Sequence, residues 1–231
     1  MNSEREPGQL ADAVERVSAS VVGVLARRLR GAGVVWRAGV AVASASALWR
    51  ASRVALVLPD GEQVDGTVRG IDPATDLAAV SFAERSGATP IARDGDATGS
   101  VRVGDVVFAA GREPSGHLQA SFGHIGAVAG PWRTWRGGHL DRLLRLDGGL
   151  YPGLLGAGVA DANGRVLGIA SAAFSRHHGV VVPRATRRRR GRRTSRDLGR
   201  RRQPGGARRP AGRRRDCHAR RRAGGQPRAR S

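Results

Sequence analysis

Most of this 231-residue chain reads as all-β, on three observations. Between residues 20 and 183 the apolar side chains come in valine-rich runs of four to eight residues, each bounded by Gly, Pro, Asp or Asn, as strands of a sandwich or barrel are. Asp60-Gly61 and Asn163-Gly164 are dipeptides that favour hairpin turns. No repeat of roughly 20 to 50 residues is visible, which argues against solenoids and propellers.

The elements follow in order. Leu10, Val14 and Val17 are spaced four and three apart, with Asp12, Glu15 and Arg16 between them, so a short amphipathic helix is predicted over 10–20. Residues 1–19 then form an N-terminal helical extension and 20–183 the folded domain. Apolar runs predict strands at 21–25, 54–58, 64–71, 76–82, 106–110, 125–128, 140–146, 166–170 and 179–182. The alanine-rich stretch 39–51 favours helix by propensity, and a short helical turn near 46–50 is expected inside the β framework.

Charge divides the chain in two. Of its 40 basic residues every one is arginine, against 19 acids, for a net charge of +21. Residues 184–231 hold 21 of the arginines and only Asp197 and Asp216, which leaves +19 there; residues 1–183 carry 19 arginines against 17 acids, or +2. The body is nearly neutral, and its roughly 180 residues are enough for one domain or two small subdomains sharing an interface. No apolar run reaches the ~18 residues of a membrane span, and the N-terminus has acids where a secretory signal has an apolar core. The only cysteine, Cys217, lies in the tail, so no disulfide can staple the body. A cytoplasmic protein without membrane contact is the expectation.

Four segments carry a resemblance. Gly31-Ala32-Gly33-Val34-Val35-Trp36 with Gly39-Val40-Ala41-Val42 is similar to a G-S-G-V-V strand pair. Val57-Leu58-Pro59-Asp60-Gly61, then Gly70-Ile71-Asp72 through Asp76-Leu77-Ala78-Ala79-Val80, resembles a D-G hairpin followed by D-x-x-x-D-L-A-V-L. Val101-Arg102-Val103-Gly104-Asp105-Val106 to Gly111 resembles L-R-V-G-D-x-V-x-A-I-G. Leu146-Asp147-Gly148 through Pro152-Gly153-Leu154-Leu155-Gly156-Ala157-Gly158, then Gly164 to Ile169, is similar to T-D-A-x-I-x-P-G-N-S-G-G-P-L and G-x-V-I-G-I. In this order and spacing they resemble the protease domain of HtrA-like, trypsin-like (chymotrypsin-fold) serine proteases. The resemblance covers about residues 20–183 and implies two perpendicular six-stranded β-barrels with a cleft between them.

Position by position, the resemblance puts the family's catalytic aspartate on Asp76, which is retained. Its histidine falls on Ser46 and its nucleophilic serine on Leu155. The hydroxyl of such a serine attacks only when a neighbouring imidazole takes its proton, and the aspartate orients that imidazole. Leu155 has no nucleophilic atom and Ser46 is no base near neutral pH. Backbone amides over Gly153, Leu154 and Leu155 would be the remnant of an oxyanion hole. The expectation is a degenerate protease domain, either a pseudoprotease whose cleft still binds peptide or unfolded protein segments, or the product of a decayed gene. The alternative enzyme reading is an active serine peptidase with a misaligned triad, in which Ser44, Ser46, Ser121 or Ser171 has a histidine within reach.

Other residues invite weaker readings. Of the body histidines, His117, His124, His139, His177 and His178, none is near Ser46 in sequence, and His218 is in the tail. His177-His178 lacks an evident third ligand, so neither a metal nor any cofactor is expected. In the absence of imidazole, Asp76 would be a structural carboxylate hydrogen-bonded to Ser46. Trp132 and Trp135 alternate with Arg133 and Arg136 in what reads as a loop, able to stack on a ligand or to cover the barrel.

The tail, 184–231, has Leu198 as its only large aliphatic side chain and cannot bury a core, so disorder is predicted. If authentic, it would bind nucleic acid through phosphate charge alone, and nucleic acid is expected as a partner through no other segment. The other reading is a shifted frame. The chain has no lysine and only Asn2 and Asn163 as asparagines, the mark of a GC-rich gene, and frameshifts in such genes yield strings of Arg, Gly, Pro and Ala. The frameshift reading predicts that the coding DNA past codon 183 continues with a helix-like pattern in another frame. Stop codons soon after that point in both alternative frames would sink it.

Overall fold

Strand β1 (Val21–Ala26) opens a run of six short antiparallel strands that includes β2 (Leu29–Arg37), β3 (Val40–Ser44), β4 (Arg53–Val57), β5 (Gln63–Asp72) and β6 (Leu77–Phe82). They were located in a computed structural model that describes residues 8–26, 29–84, 87–92, 97–148, 150–151, 153–175 and 177–184, all within the unit Met1–Arg189. The strands pair in the order β1-β2-β3-β6-β5-β4, and β1 closes on β4 with Gly23 opposite Val57. Alternation puts Val22, Val24, Ala41, Ala43, Leu56 and Val80 inside this barrel, with Leu48 and Leu58 sealing it.

A second closed barrel uses β7 (Val106–Arg112), β8 (Leu118–Ala129), β11 (Leu143–Asp147), β12 (Gly158–Asp161), β13 (Val166–Ser171) and β14 (Val180–Pro183), in the order β11-β14-β13-β12-β7-β8. Between β8 and β11 the chain makes a separate hairpin of β9 (Trp132–Arg133) and β10 (His139–Leu140). Ile125, Leu144, Leu154, Val159, Leu167 and Val181 fill the barrel.

A third apolar cluster joins the two. Helix α1 (Gly8–Ser18) buries Ala13 and Val17 among Val21 and Val34 of the first barrel and Phe108, Ala160, Val166 and Ile169 of the second. Arg112, at the end of β7, is buried across this seam. Its Nη2 donates to Ser18 O (2.9 Å), its Nε to Val21 O (3.1 Å) and its Nη1 to Gly116 O (3.0 Å). Burial lowers the guanidinium below its ordinary pKa, and the nearby Asp60 carboxylate opposes that shift. The group thus caps the last carbonyl of α1 and ties the first strand of one barrel to the first of the other.

Several expectations are corrected. The helix starts and ends two residues early, because Ser20 turns back to Val17 O and its own carbonyl bonds the Val35 amide. The run 140–146 is not one strand. Leu140 pairs within the hairpin, the chain bends at Asp141-Arg142, and only then does β11 join the barrel. The run 125–128 is the end of the much longer β8, whose earlier half carries Gln119, Ser121 and Gly123 in place of apolar side chains on the face that Ile125 shares. β12 has no counterpart among the expected strands: Gly158-Val159-Ala160 is too small and too short to stand out. Trp132-Arg133 lies in a strand, not a loop. The helical turn near 46–50 is a single 3-10 turn, Ser46–Leu48, and both Gly-containing turn dipeptides lie where strands β4–β5 and β12–β13 reverse. The tail 185–231, with each reading of it, lies outside the described residues. Among the described residues no helix is long and apolar enough to cross a membrane.

Replacing Arg112 with Met keeps the apolar stem but leaves one buried and two part-buried carbonyls without their donor. We expect Arg112→Met to lower stability by about 3 kcal/mol, read as a shift of the urea midpoint at unchanged m-value.

Candidate active site

Three strand ends converge on one carboxylate. Asp76 immediately precedes β6 and is fully buried. Ser44 closes β3, and Ser171 closes β13 of the other barrel. Ser171 Oγ donates to Asp76 Oδ2 at 2.6 Å and Ser44 Oγ donates to the same oxygen at 2.8 Å. The Ser46 amide donates to Oδ1 at 2.8 Å, and the Ser46 hydroxyl lies 3.4 Å from Oδ2 and 2.7 Å from Ser44 Oγ. The backbone is bound as well, since Ala45 N donates to Asp76 O at 3.0 Å.

Asp76 has φ +55°, the left-handed region that Asp and Asn enter more readily than other side chains. The loop before it is built to reach that conformation. Asp72 Oδ1 accepts from Ala74 N (3.1 Å) and Oδ2 from the Thr75 hydroxyl (3.0 Å), forming an Asx turn around Pro73.

Leu155 sits on a turn pressed against the same strand end. Gly156, with φ +85°, packs so closely that a Cβ would overlap the Ala32 carbonyl oxygen and come within 2.6 Å of the Ser44 amide. Only glycine fits, in conformation and in space. The Leu155 carbonyl accepts from Ala32 N at 2.8 Å, and the side chain is half-buried. Leu154 is fully buried in the second barrel, and its amide donates to Tyr151 O at 3.0 Å, while Gly153 has φ +98°. So Ser46 and Asp76 are in direct contact, and the turn bearing Leu155 adjoins them.

The β9–β10 hairpin reaches this region from the second barrel. Thr134 Oγ1 donates to Ala74 O at 2.8 Å, and Gly138 packs where any Cβ would overlap that same carbonyl oxygen. Trp132 meets Phe174 edge-on at 5.6 Å, and Trp135 Nε1 donates to Ala173 O at 3.4 Å. Arg136, at the tip, stacks over the Trp135 ring at 4.5 Å. Ser46, Trp49, Pro73, Ala74 and Arg136 enclose an open groove of about 600 Å³. An apolar groove of about 370 Å³ along Trp36, Ile71, Leu77 and Val182 is lined by neither Ser46, Asp76 nor Leu155.

Among the described residues, no histidine is hydrogen-bonded to the cluster. Among the described residues the imidazole contacts are those of His117 with Ser115 (3.4 Å) and His139 with Asp141 (3.8 Å), while His124 is exposed on β8. His177 and His178 are ring neighbours at 6.5 Å, and among the described residues no group of three His, Cys, Asp or Glu is placed to hold a metal ion. The sequence offers Ser44 and Ser171 only as alternative nucleophiles and misses them as partners of Asp76. Ser44 sits two residues before Ser46, a hint available locally, but Ser171 is 95 residues from Asp76 and only folding brings it there.

Two six-stranded barrels with a carboxylate buried at their junction define the trypsin class of folds. The family model described as "Trypsin-like peptidase domain" matches residues 31–169, and the chain belongs to that family, with a domain that is HtrA-like. HhoA of Synechocystis sp., named as a putative serine protease, is 30% identical over 152 residues, which cover 63% of this chain and 38% of HhoA. The chain therefore spans well under half the length of that relative. Among solved structures, Deg5 superposes with a TM-score of 0.66 at 20% identity, covering 78% of this chain and 92% of Deg5. AlgW, described as an HtrA-type protease with a decapeptide, gives 0.62 at 21% identity, over 76% of this chain and 64% of AlgW. At those identities the superpositions speak for the fold alone.

Asp76→Ala removes the acceptor of several buried donors and places a less tolerant residue at positive φ, so we expect a loss of about 3 kcal/mol or more. Asp76→Asn should cost about half as much, because it tolerates the backbone and serine hydroxyls can rotate to accept from its amide. Equal stability of both variants and the parent in urea unfolding would contradict this role for the cluster.

Proposed function

We propose that this chain is an HtrA-like serine protease homologue without peptide-bond hydrolysis, whose cleft binds an extended peptide or unfolded protein segment. The observation that carries the proposal is the set of donors to Asp76. In a working triad that carboxylate holds an imidazole in the tautomer and orientation needed to take the nucleophile's proton. Here its hydrogen-bonding capacity goes to Ser44, Ser46 and Ser171 and to the Ser46 amide.

None of these groups is a base near neutral pH. Leu155, on the turn that the family's pattern assigns to the nucleophile, offers only hydrocarbon. Losing either the nucleophile or the base of a triad costs on the order of a millionfold in turnover, and loss of both is no worse, because the groups act as a unit. The Leu154 amide of the 153–155 turn is taken by Tyr151 O, so peptide binding falls to the groove beside Ser46, and AlgW, with its decapeptide, offers an analogy for such an occupant. The alternative of an active peptidase with a misaligned triad finds no support in the hydrogen bonds of Ser44, Ser46 and Ser171, which run to Asp76, to one another and to backbone.

A fluorophosphonate probe is expected to leave every serine of the full-length chain unlabelled, with casein intact after prolonged incubation. The double variant Ser46→His, Leu155→Ser returns a base beside Asp76 and a hydroxyl to the turn, and should gain labelling at residue 155. Stoichiometric labelling of any serine in the unaltered chain would defeat the proposal.

A further inference from the structure

The groove beside Ser46 carries a charge. Its walls are Trp49, which is 59% exposed, Pro73 and Ala74 from the first barrel, and Arg136 from the hairpin of the second. Among the described residues no carboxylate lies within ion-pair distance of Arg136, whereas Arg102 and Arg165 both have one, in Asp105 and Asp161. Arg136 instead lies on the face of Trp135, itself 70% exposed. Stacking holds the guanidinium plane while leaving N–H groups to donate, and that fork matches a carboxylate with two parallel bonds.

The support beneath it is fixed. Thr134 and Gly138 bracket the Trp135-Arg136 tip and are bonded or packed to Ala74 O, and the Trp135 indole reaches Ala173 O. The cation therefore stands at a set position opposite an exposed indole, in a groove of the size that takes small ligands or short peptide segments.

Resting on the peptide-binding reading above, we propose that the occupant of this groove is an extended peptide bearing an acidic side chain. Its carboxylate is gripped by Arg136, and a neighbouring apolar side chain of the peptide packs on Trp49. Arg136 is then a specificity-determining residue. The Arg-rich segment beyond residue 184 attracts any acidic peptide, so the test must separate the two sources of charge.

The probe is a fluorescein-labelled hexapeptide of Ala and Val with one Glu and one benzophenone side chain, set against the same peptide with Gln for Glu. Both are titrated into the full-length chain at about 0.15 M salt, near physiological ionic strength, by fluorescence anisotropy, then photocross-linked and mapped by mass spectrometry. We expect the Glu peptide to bind about tenfold more tightly or better, with cross-links at 46–49, 73–74 or the hairpin. Arg136→Gln should bring the two affinities together by weakening only the Glu peptide, and Arg133→Gln, an exposed arginine of the same hairpin, should leave their ratio alone.

An unchanged ratio in Arg136→Gln overturns the assignment of Arg136. Equal affinities in the unaltered protein with cross-links in the groove overturn the acidic preference and leave the peptide-binding reading standing. Cross-links confined to residues beyond 184, or no binding of either peptide, overturn both.

Discussion

A carboxylate removed from water must find its hydrogen-bond donors inside the protein or give up its charge. Asp76 finds them at the junction of two barrels, from the end of β3, from the residue that follows it by two, and from the end of β13. Because Ser44 belongs to one barrel and Ser171 to the other, this interaction fixes how the two barrels meet at the cleft. The left-handed backbone at Asp76, the Asx turn around Pro73 and the close seat of Gly156 against β3 all serve that one meeting point.

The surrounding parts depend on it in turn. The 72–76 loop offers Ala74 O outward, and the β9–β10 hairpin docks on that carbonyl through Thr134 and Gly138. Its tip brings Trp135 and Arg136 to the groove beside Ser46. At the α1 side, Arg112 closes the same inter-barrel seam with a cation satisfied by three carbonyls. Among the described residues, the side chains that hold this junction are the Asp76 carboxylate, serine hydroxyls and one guanidinium, with no imidazole among them.

Legibility followed the physics of each element. Valine-rich runs and the Asp-Gly and Asn-Gly turns exposed β1, β4 to β7, β13 and β14: β4 to β6 alternate between a buried and a more open face, β1, β7, β13 and β14 are buried almost throughout and read as continuous apolar runs, and the turns reverse where glycine takes positive φ. β12 and the first half of β8 stayed hidden: one is built of side chains too small to make a pattern, and in the other Gln119, Ser121 and Gly123 fall where an inward apolar alternation would show. The bend at Asp141-Arg142 was hidden because the apolar residues on either side of it belong to different sheets.

Motif order over about residues 20–183 was enough to recognise the family, and the resemblance aligns Ser46 and Leu155 with two of its three triad positions, an expectation that needs only the identity of each side chain. Of the groups that meet Asp76, Ser46 was legible there, whereas Ser44 and Ser171 as its partners were not. Ser171 reaches it across 95 residues of chain, and Arg136 of the β9–β10 hairpin lines the same groove as Trp49, which follows β3 of the first barrel. Such pairings are set by barrel closure and by the docking of one barrel on the other, which no local pattern encodes.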